Sequence, residues 1–168
     1  MRLFIAIDLS DEMKDELEKS TCVLKTRGRG RFPLRENYHL TLVFLGKTNR
    51  VNDIKKAMDM LETTPFDLKL SSCGRFQREG GDVVWAGIEK NPILENLVYT
   101  LTDNLRNMGF SVENRPYKAH ITLAREMEQV EFPSIKPLSM TCHTITLMES
   151  LHIGRELKYL TVYDKNIY

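Results

Sequence analysis

The sequence predicts an α+β fold, and three observations carry that prediction. Apolar or alternating segments interleave with segments of helical period in the order β-α-β-α-β-β-α-β-β-β, which suits antiparallel pairing with helices on one side. No linker or low-complexity tract interrupts the 168 residues, so residues 1–168 read as a single domain. A strand rich in His and Thr occurs in each half, His39 and His120 being 81 residues apart in a chain whose half-length is 84, which suggests two pseudo-symmetric lobes whose polar faces meet.

Each element follows from its own signals. Leu3 to Ile7 is an apolar run ending at Asp8 and reads as a strand. Ser10 then caps a helix with acids in its first turn, Met13, Leu17 and Leu24 on one side, and Gly28 as its stop. HLTLVFLG at 39–46 alternates Leu40, Leu42 and Phe44 with His39, Thr41 and Val43, giving a strand with a polar face. Ile54, Ala57, Met58 and Leu61 have helical spacing between Val51 and Thr63, and Pro65 closes that helix. Phe66 to Cys73 and Val83 to Ile88 read as antiparallel strands joined by a charged, glycine-rich loop.

Asn91 as cap, Pro92 at the first helical position, apolar residues from Leu94 to Met108 on one face, and Gly109 beyond the end define a third helix. HITLAR at 120–125 is a strand, 126–137 a connection, and 138–149 and 157–163 two further strands.

Composition narrows the function. The hydrophobic fraction of 42% and a length that buries roughly 70% of the unfolded surface supply a core without disulfides or a structural metal. Cys22, Cys73 and Cys142 are odd in number and form no C-x-x-C pair, which points to a reducing cytoplasm. No run approaches the ~18 apolar residues of a membrane span, and the leading apolar run is too short for a signal-peptide core. A net charge of +1 argues against coating nucleic acid by charge alone. The acid-free stretch KTRGRGRFPLR at 25–35 is read two ways, as a phosphate guide through Arg27, Arg29 and Arg31 or as a solvated loop.

Two of the four histidines open the same tetrapeptide, His39-Leu40-Thr41-Leu42 and His120-Ile121-Thr122-Leu123. For this composition, two H-x-T-L motifs arise by chance roughly 6 times in 10,000. In a strand residues i and i+2 share a face, so each motif presents an imidazole and a hydroxyl while its leucines or isoleucine anchor the core. Across a cleft, two imidazoles can act as general base and general acid on a bound phosphate, with the hydroxyls donating to its oxygens. An ordinary imidazole pKa near 6.5 keeps both protonation states available. His143 and His152 carry no such pattern. No Walker or G-x-S-x-G sequence occurs, Gly28 and Gly30 follow no strand, and Thr stands where a metal site wants another ligand, so neither a metal nor any cofactor is expected.

With both motifs in hand, the sequence resembles the 2H phosphoesterase superfamily, and within it the RNA 2′,3′-cyclic phosphodiesterases also called 2′-5′ RNA ligases. MRLFIAIDL, NYHLTLVFLG, GRF and VVWAG at 74–76 and 83–87, HITLAR, and ESLHIGRELKYLTVY carry the likeness across nearly the whole chain. The resemblance implies a bilobal fold with antiparallel-sheet lobes, helices outside and a central cleft. It implies metal-independent hydrolysis of RNA 2′,3′-cyclic phosphate ends to 2′-phosphates.

By motif, His39 is the proton donor to the leaving 3′ oxygen, His120 the acceptor that activates water, and Thr41 and Thr122 hold the phosphate. Arg125 matches a basic position of the family, although strict alternation from His120 aims it away from the cleft unless the strand bulges. Ala119 departs from a common proline before the second motif. Tyr38, Phe76 and Tyr117 are candidates for base stacking, with packing as the alternative. The expected partners are RNA ends or cyclic nucleotides, with no membrane, and the expected state is a monomer. Two rivals stay open: 2′-5′ ligation in the same site, and an RNA-end binding module with little turnover.

Overall fold

The structure, a computed structural model, describes all residues 1–168. Its elements in chain order are β1 (Arg2–Asp8), α1 (Asp11–Arg27), β2 (His39–Lys47), α2 (Val51–Asp59), β3 (Phe66–Phe76), β4 (Asp82–Ile88), α3 (Pro92–Asn107), β5 (His120–Met127), β6 (Ser139–Cys142), β7 (Thr144–Ile153) and β8 (Glu156–Asn166). A 3-10 turn, Arg35–Asn37, precedes β2.

The helices end where their capping chemistry says they should. The Ser10 hydroxyl accepts from the Met13 amide at 3.2 Å, and Gly28 N–H closes α1 on the Leu24 carbonyl at 3.1 Å. The Asn91 side chain accepts from the amides of Ile93 and Leu94, with Pro92 at the first turn of α3.

The strands form two four-stranded antiparallel sheets, ordered β2-β1-β7-β8 and β5-β4-β3-β6. Position by position, β2 corresponds to β5, β1 to β4 and β7 to β3. The motif strands β2 and β5 are edge strands of their sheets and lie against each other. Helix α1 packs on β5, α3 on β2 and α2, and α2 also on β8, so helices cover the sheets away from the cleft.

β1 shows why its sequence is an unbroken apolar run: Leu3, Ile5 and Ile7 enter a core of 33 buried residues, while Phe4 and Ala6 face the other way and pack with Met148 and Tyr159. Both faces of this central strand are therefore dry. The large core draws on both sheets and all three helices.

Several boundaries differ from the sequence expectation. The stretch expected as one strand at 138–149 is two: β6 pairs with β3 in the second sheet, and β7 pairs with β1 in the first. His143 sits at the switch, its carbonyl accepting from the Ile167 amide at 2.8 Å. Cys142 and Ile145 are both buried although three residues apart, a slip in the period-two pattern that marks the crossing. α2 ends at Asp59 rather than Thr63, yet Leu61 remains buried as part of the core. β3 continues to Phe76, β5 to Met127 and β8 to Asn166, because each finds a partner strand that local sequence does not announce.

Candidate active site

The two motif strands carry matching irregularities. On β2, Ile5 pairs with Val43 but Ala6 with Thr41, leaving Leu42 as an extra residue. On β5, Val84 pairs with Ala124 but Trp85 with Thr122, leaving Leu123 extra. Each is a β-bulge one residue after the motif threonine, and a bulge shifts the side-chain phase by one. Leu42 and Val43 consequently both point inward, as do Leu123 and Ala124, and the following residue returns to the His-Thr face. That residue is Phe44 in one lobe and Arg125 in the other, both exposed. The bulge brings Arg125 onto the cleft side, where its charge acts on both His39 and His120.

The imidazoles are held alike. His39 Nδ1 lies 2.7 Å from the Asn37 carbonyl, and His120 Nδ1 lies 2.7 Å from the Lys118 carbonyl. A carbonyl only accepts, so in each ring Nδ1 carries the hydrogen and donates it, leaving Nε2 for chemistry. His39 Nε2 meets the Thr41 hydroxyl at 2.7 Å.

Burial lowers the pKa of both histidines, and the carbonyl bonds oppose it. The remaining charges are unequal: His39 feels Asp8, which raises its pKa, along with Arg125 and His120, which lower it, whereas His120 feels only the cations Arg125 and Lys118.

Aromatic rings wall both sides. His39 meets Phe4 and Tyr159, each at 5.0 Å between centroids, and His120 meets Phe76 edge-on at 4.9 Å and Trp85 at 6.3 Å. The Trp85 indole lies flat on Gly74, where an added Cβ would come within 2.2 Å of the ring. The Lys118 ammonium sits 4.6 Å from the Trp85 ring centre and 5.8 Å from that of Phe76. No three His, Cys, Asp or Glu side chains converge as a metal-ligating group. The arrangement offers two imidazoles, two hydroxyls and a guanidinium around one cleft, a set suited to moving protons on either side of an anionic phosphoester.

Comparison with known proteins matches this geometry to a family. The model of the 2′-5′ RNA ligase superfamily matches residues 11–152. The chain belongs to this superfamily. Among relatives named RNA 2′,3′-cyclic phosphodiesterase, that of Thermotoga maritima is 31% identical over 152 residues, covering 81% of each chain. That of Escherichia coli is 32% identical over 133 residues, covering 76% of this chain and 73% of the relative. In solved structures, E. coli LigT complexed with 3′-AMP superposes with a TM-score of 0.88 at 27% identity, covering 99% of this chain and 97% of that one. The bilobal architecture expected of the superfamily is therefore the one observed.

The structure corrects one of the aromatic candidates, Tyr38. Tyr38 is 2% exposed and its hydroxyl pairs with that of Thr21 at 2.9 Å, so it belongs to the core and offers no face to a base. It directly precedes His39 and therefore points to the opposite side of the strand. Tyr117 is half-buried and donates to the Thr41 carbonyl at 2.8 Å, so its hydroxyl braces the first motif strand across the seam between the lobes while the residue also lines a cavity beside the second motif. Phe76 does lie on the cleft beside His120.

The basic stretch is also more tied down than its composition suggests. Arg31 pairs with Arg125 through two backbone bonds of 2.7 and 2.8 Å, adding a short edge to β5. Gly30 permits that approach, since a Cβ there would come within 2.6 Å of the Met127 sulfur. The Arg27 side chain donates to the Glu131 carbonyl and that of Arg31 pairs with Glu126, leaving Arg29 as the one whose guanidinium makes no such contact.

Sequence reasoning missed Phe4, Phe44, Trp85, Lys118 and Tyr159. Aligning the two motifs residue by residue would have found Phe44, because it stands at the place of Arg125. The others come from neighbouring strands and carry no local signature.

Proposed function

We propose that this protein is a metal-independent RNA 2′,3′-cyclic phosphodiesterase that opens the cyclic end to a 2′-phosphate and a free 3′-hydroxyl. The observation that carries the reading is the matched pair of imidazoles on bulged edge strands, each with Nδ1 committed to a carbonyl, which leaves Nε2 as the nitrogen for proton transfer, bonded only to the Thr41 hydroxyl in His39. The relatives named RNA 2′,3′-cyclic phosphodiesterase support the substrate class. The catalytic unit is the whole of residues 1–168, acting as a monomer. Three free cysteines fit a cytoplasmic setting, and no helix is long and apolar enough to cross a membrane.

In this mechanism His120 Nε2 takes a proton from water as the water oxygen bonds to phosphorus. The bond from phosphorus to the 3′ oxygen breaks, and His39 Nε2–H delivers its proton to that oxygen. The roles follow the charges: Asp8 favours a proton on His39, while Arg125 and Lys118 keep His120 neutral. Arg125, Thr41 and Thr122 stabilise the charge building on the nonbridging oxygens. Protonated His39 no longer accepts from Thr41, so that hydroxyl becomes available to the phosphate. Phe76 offers its edge of the cleft to a base. An RNA 5′-hydroxyl in place of water gives 2′-5′ ligation by the same displacement, with the 3′ oxygen again leaving, in the same site.

The test is incubation of the protein with a short RNA ending in a 2′,3′-cyclic phosphate, in EDTA, with 2′- and 3′-phosphate products resolved. A 2′-phosphate formed at an undiminished rate in EDTA is expected. Loss of turnover in EDTA would sink metal independence, and tight binding without product would turn the reading toward a binding module.

The pH dependence carries its own sign. The base must be neutral, so kcat/KM falls below the pKa of His120; the acid must be protonated, so kcat/KM falls above the pKa of His39. Burial lowers both values from 6.5, which places the maximum of kcat/KM below pH 6.5. Arg125→Gln, which removes a cation that both rings feel, moves both limbs upward; limbs that stay fixed would refute that coupling.

A further inference from the structure

A cavity of about 390 Å³, large enough for a nucleotide, opens beside the second motif. Its wall includes Gly87, the strand partner of His120, together with Trp85 and Lys118, which flank the His120 ring. The pseudo-symmetry of the lobes gives it a counterpart of about 330 Å³, whose wall includes Asp8, the strand partner of His39. The reacting phosphate thus has a recess on each side, and an RNA chain leaving its cyclic 3′ end has two routes.

Charge separates them. The counterpart has no lysine or arginine on its wall; of its two carboxylates Asp8 pairs with Lys14 at 2.9 Å, and Asp164 repels a phosphodiester. The cavity beside His120 has Lys90 and Lys118 on its wall, and neither lysine makes an ion pair. Its carboxylates are offset differently: Glu89 pairs with Lys69 at 3.5 Å, and Glu95 lies in the first turn of α3, where the helix dipole favours an anion. Ser71 and Ser72 add hydroxyls for a ribose or base.

We propose that this cavity is the subsite for the nucleotide immediately 5′ to the cyclic end, with the intervening phosphodiester between Lys90 and Lys118. The inference rests on the phosphodiesterase reading above and adds chain polarity to it: the RNA runs back from the reacting phosphate over the lobe of β3, β4 and β5. The enzyme therefore discriminates an RNA end from a free cyclic mononucleotide by this second contact.

The experiment compares a cyclic mononucleotide with a dinucleotide bearing the same cyclic end. A charge-assisted phosphate contact gives the dinucleotide about a tenfold or greater advantage in kcat/KM. Lys90→Glu reverses a charge on the wall and Ser72→Phe fills the recess; both positions are exposed, so both variants fold, as a thermal melt checks. Each removes the advantage while leaving mononucleotide hydrolysis unchanged. Equal wild-type rates on the two substrates, or an equal loss on both in the variants, would overturn the subsite.

If neither substrate turns over, the phosphodiesterase reading has failed, and binding decides the subsite alone. Trp85 is the only tryptophan of the chain and lines the cavity, so its fluorescence reports occupancy by a 2′-phosphorylated dinucleotide or mononucleotide. Tighter dinucleotide binding that Lys90→Glu abolishes supports the subsite, whereas equal affinities reject it.

Discussion

His39→Ala and His120→Ala are each expected to lower kcat/KM on an RNA 2′,3′-cyclic phosphate by about 10²–10⁴-fold, the usual worth of one general acid or base. The pair acts within a single displacement, so the double variant loses less than the product of the two single losses. Neither ring belongs to the continuous core; His120 gives up one hydrogen bond to a backbone carbonyl and His39 one to a carbonyl and one to Thr41, so thermal stability changes little beside activity. The variants also differ from each other in pH dependence. His120→Ala removes the limb that falls toward acid, and His39→Ala removes the limb that falls toward alkali. A variant that retains wild-type turnover, or loses the opposite limb, would reject the corresponding role.

Thr41→Val and Thr122→Val are expected to lower kcat by about 10²-fold, in the range seen when a donor to developing negative charge is removed. The change keeps the β-branched shape that suits a strand and deletes only the hydroxyl. Thr41 is bonded to His39 Nε2 in the free protein, so Thr41→Val also frees that nitrogen from its partner; Thr122→Val has no such second effect. The general acid is thereby touched in one variant only, and the alkaline limb of the pH profile should shift for Thr41→Val but not for Thr122→Val. Thr→Ser at either site restores most of the rate. If Val and Ser variants were equally impaired, shape rather than the hydroxyl would be responsible.

Much of this site is legible without a structure because its two halves are encoded locally and twice. A histidine and a threonine two apart on a strand must share a face, and the apolar residues between and after them must anchor it. Ser10, Gly28, Asn91 and Pro92 likewise state the ends of their helices through hydrogen bonds made within a turn. Arg125 is the instructive case. Alternation counts it out of the cleft, and the bulge at Leu123 counts it back in, because the extra residue is defined only by what β4 pairs with. Tyr38 is the reverse case: an aromatic beside the motif suggests a stacking platform, yet its place on the strand sends it to Thr21 and the core.

By itself the sequence determined the strand and helix order, the two H-x-T motifs and the chemistry they can perform, since each depends on contacts within a few residues. Only the tertiary structure decided the partition of 139–153 between two sheets, the rings of Phe4, Tyr159, Phe76 and Trp85 around the imidazoles, and the unequal charges on His39 and His120. Those features join residues far apart in the chain, and the fields and packing they create arise from distance in space, which no local pattern of residues specifies.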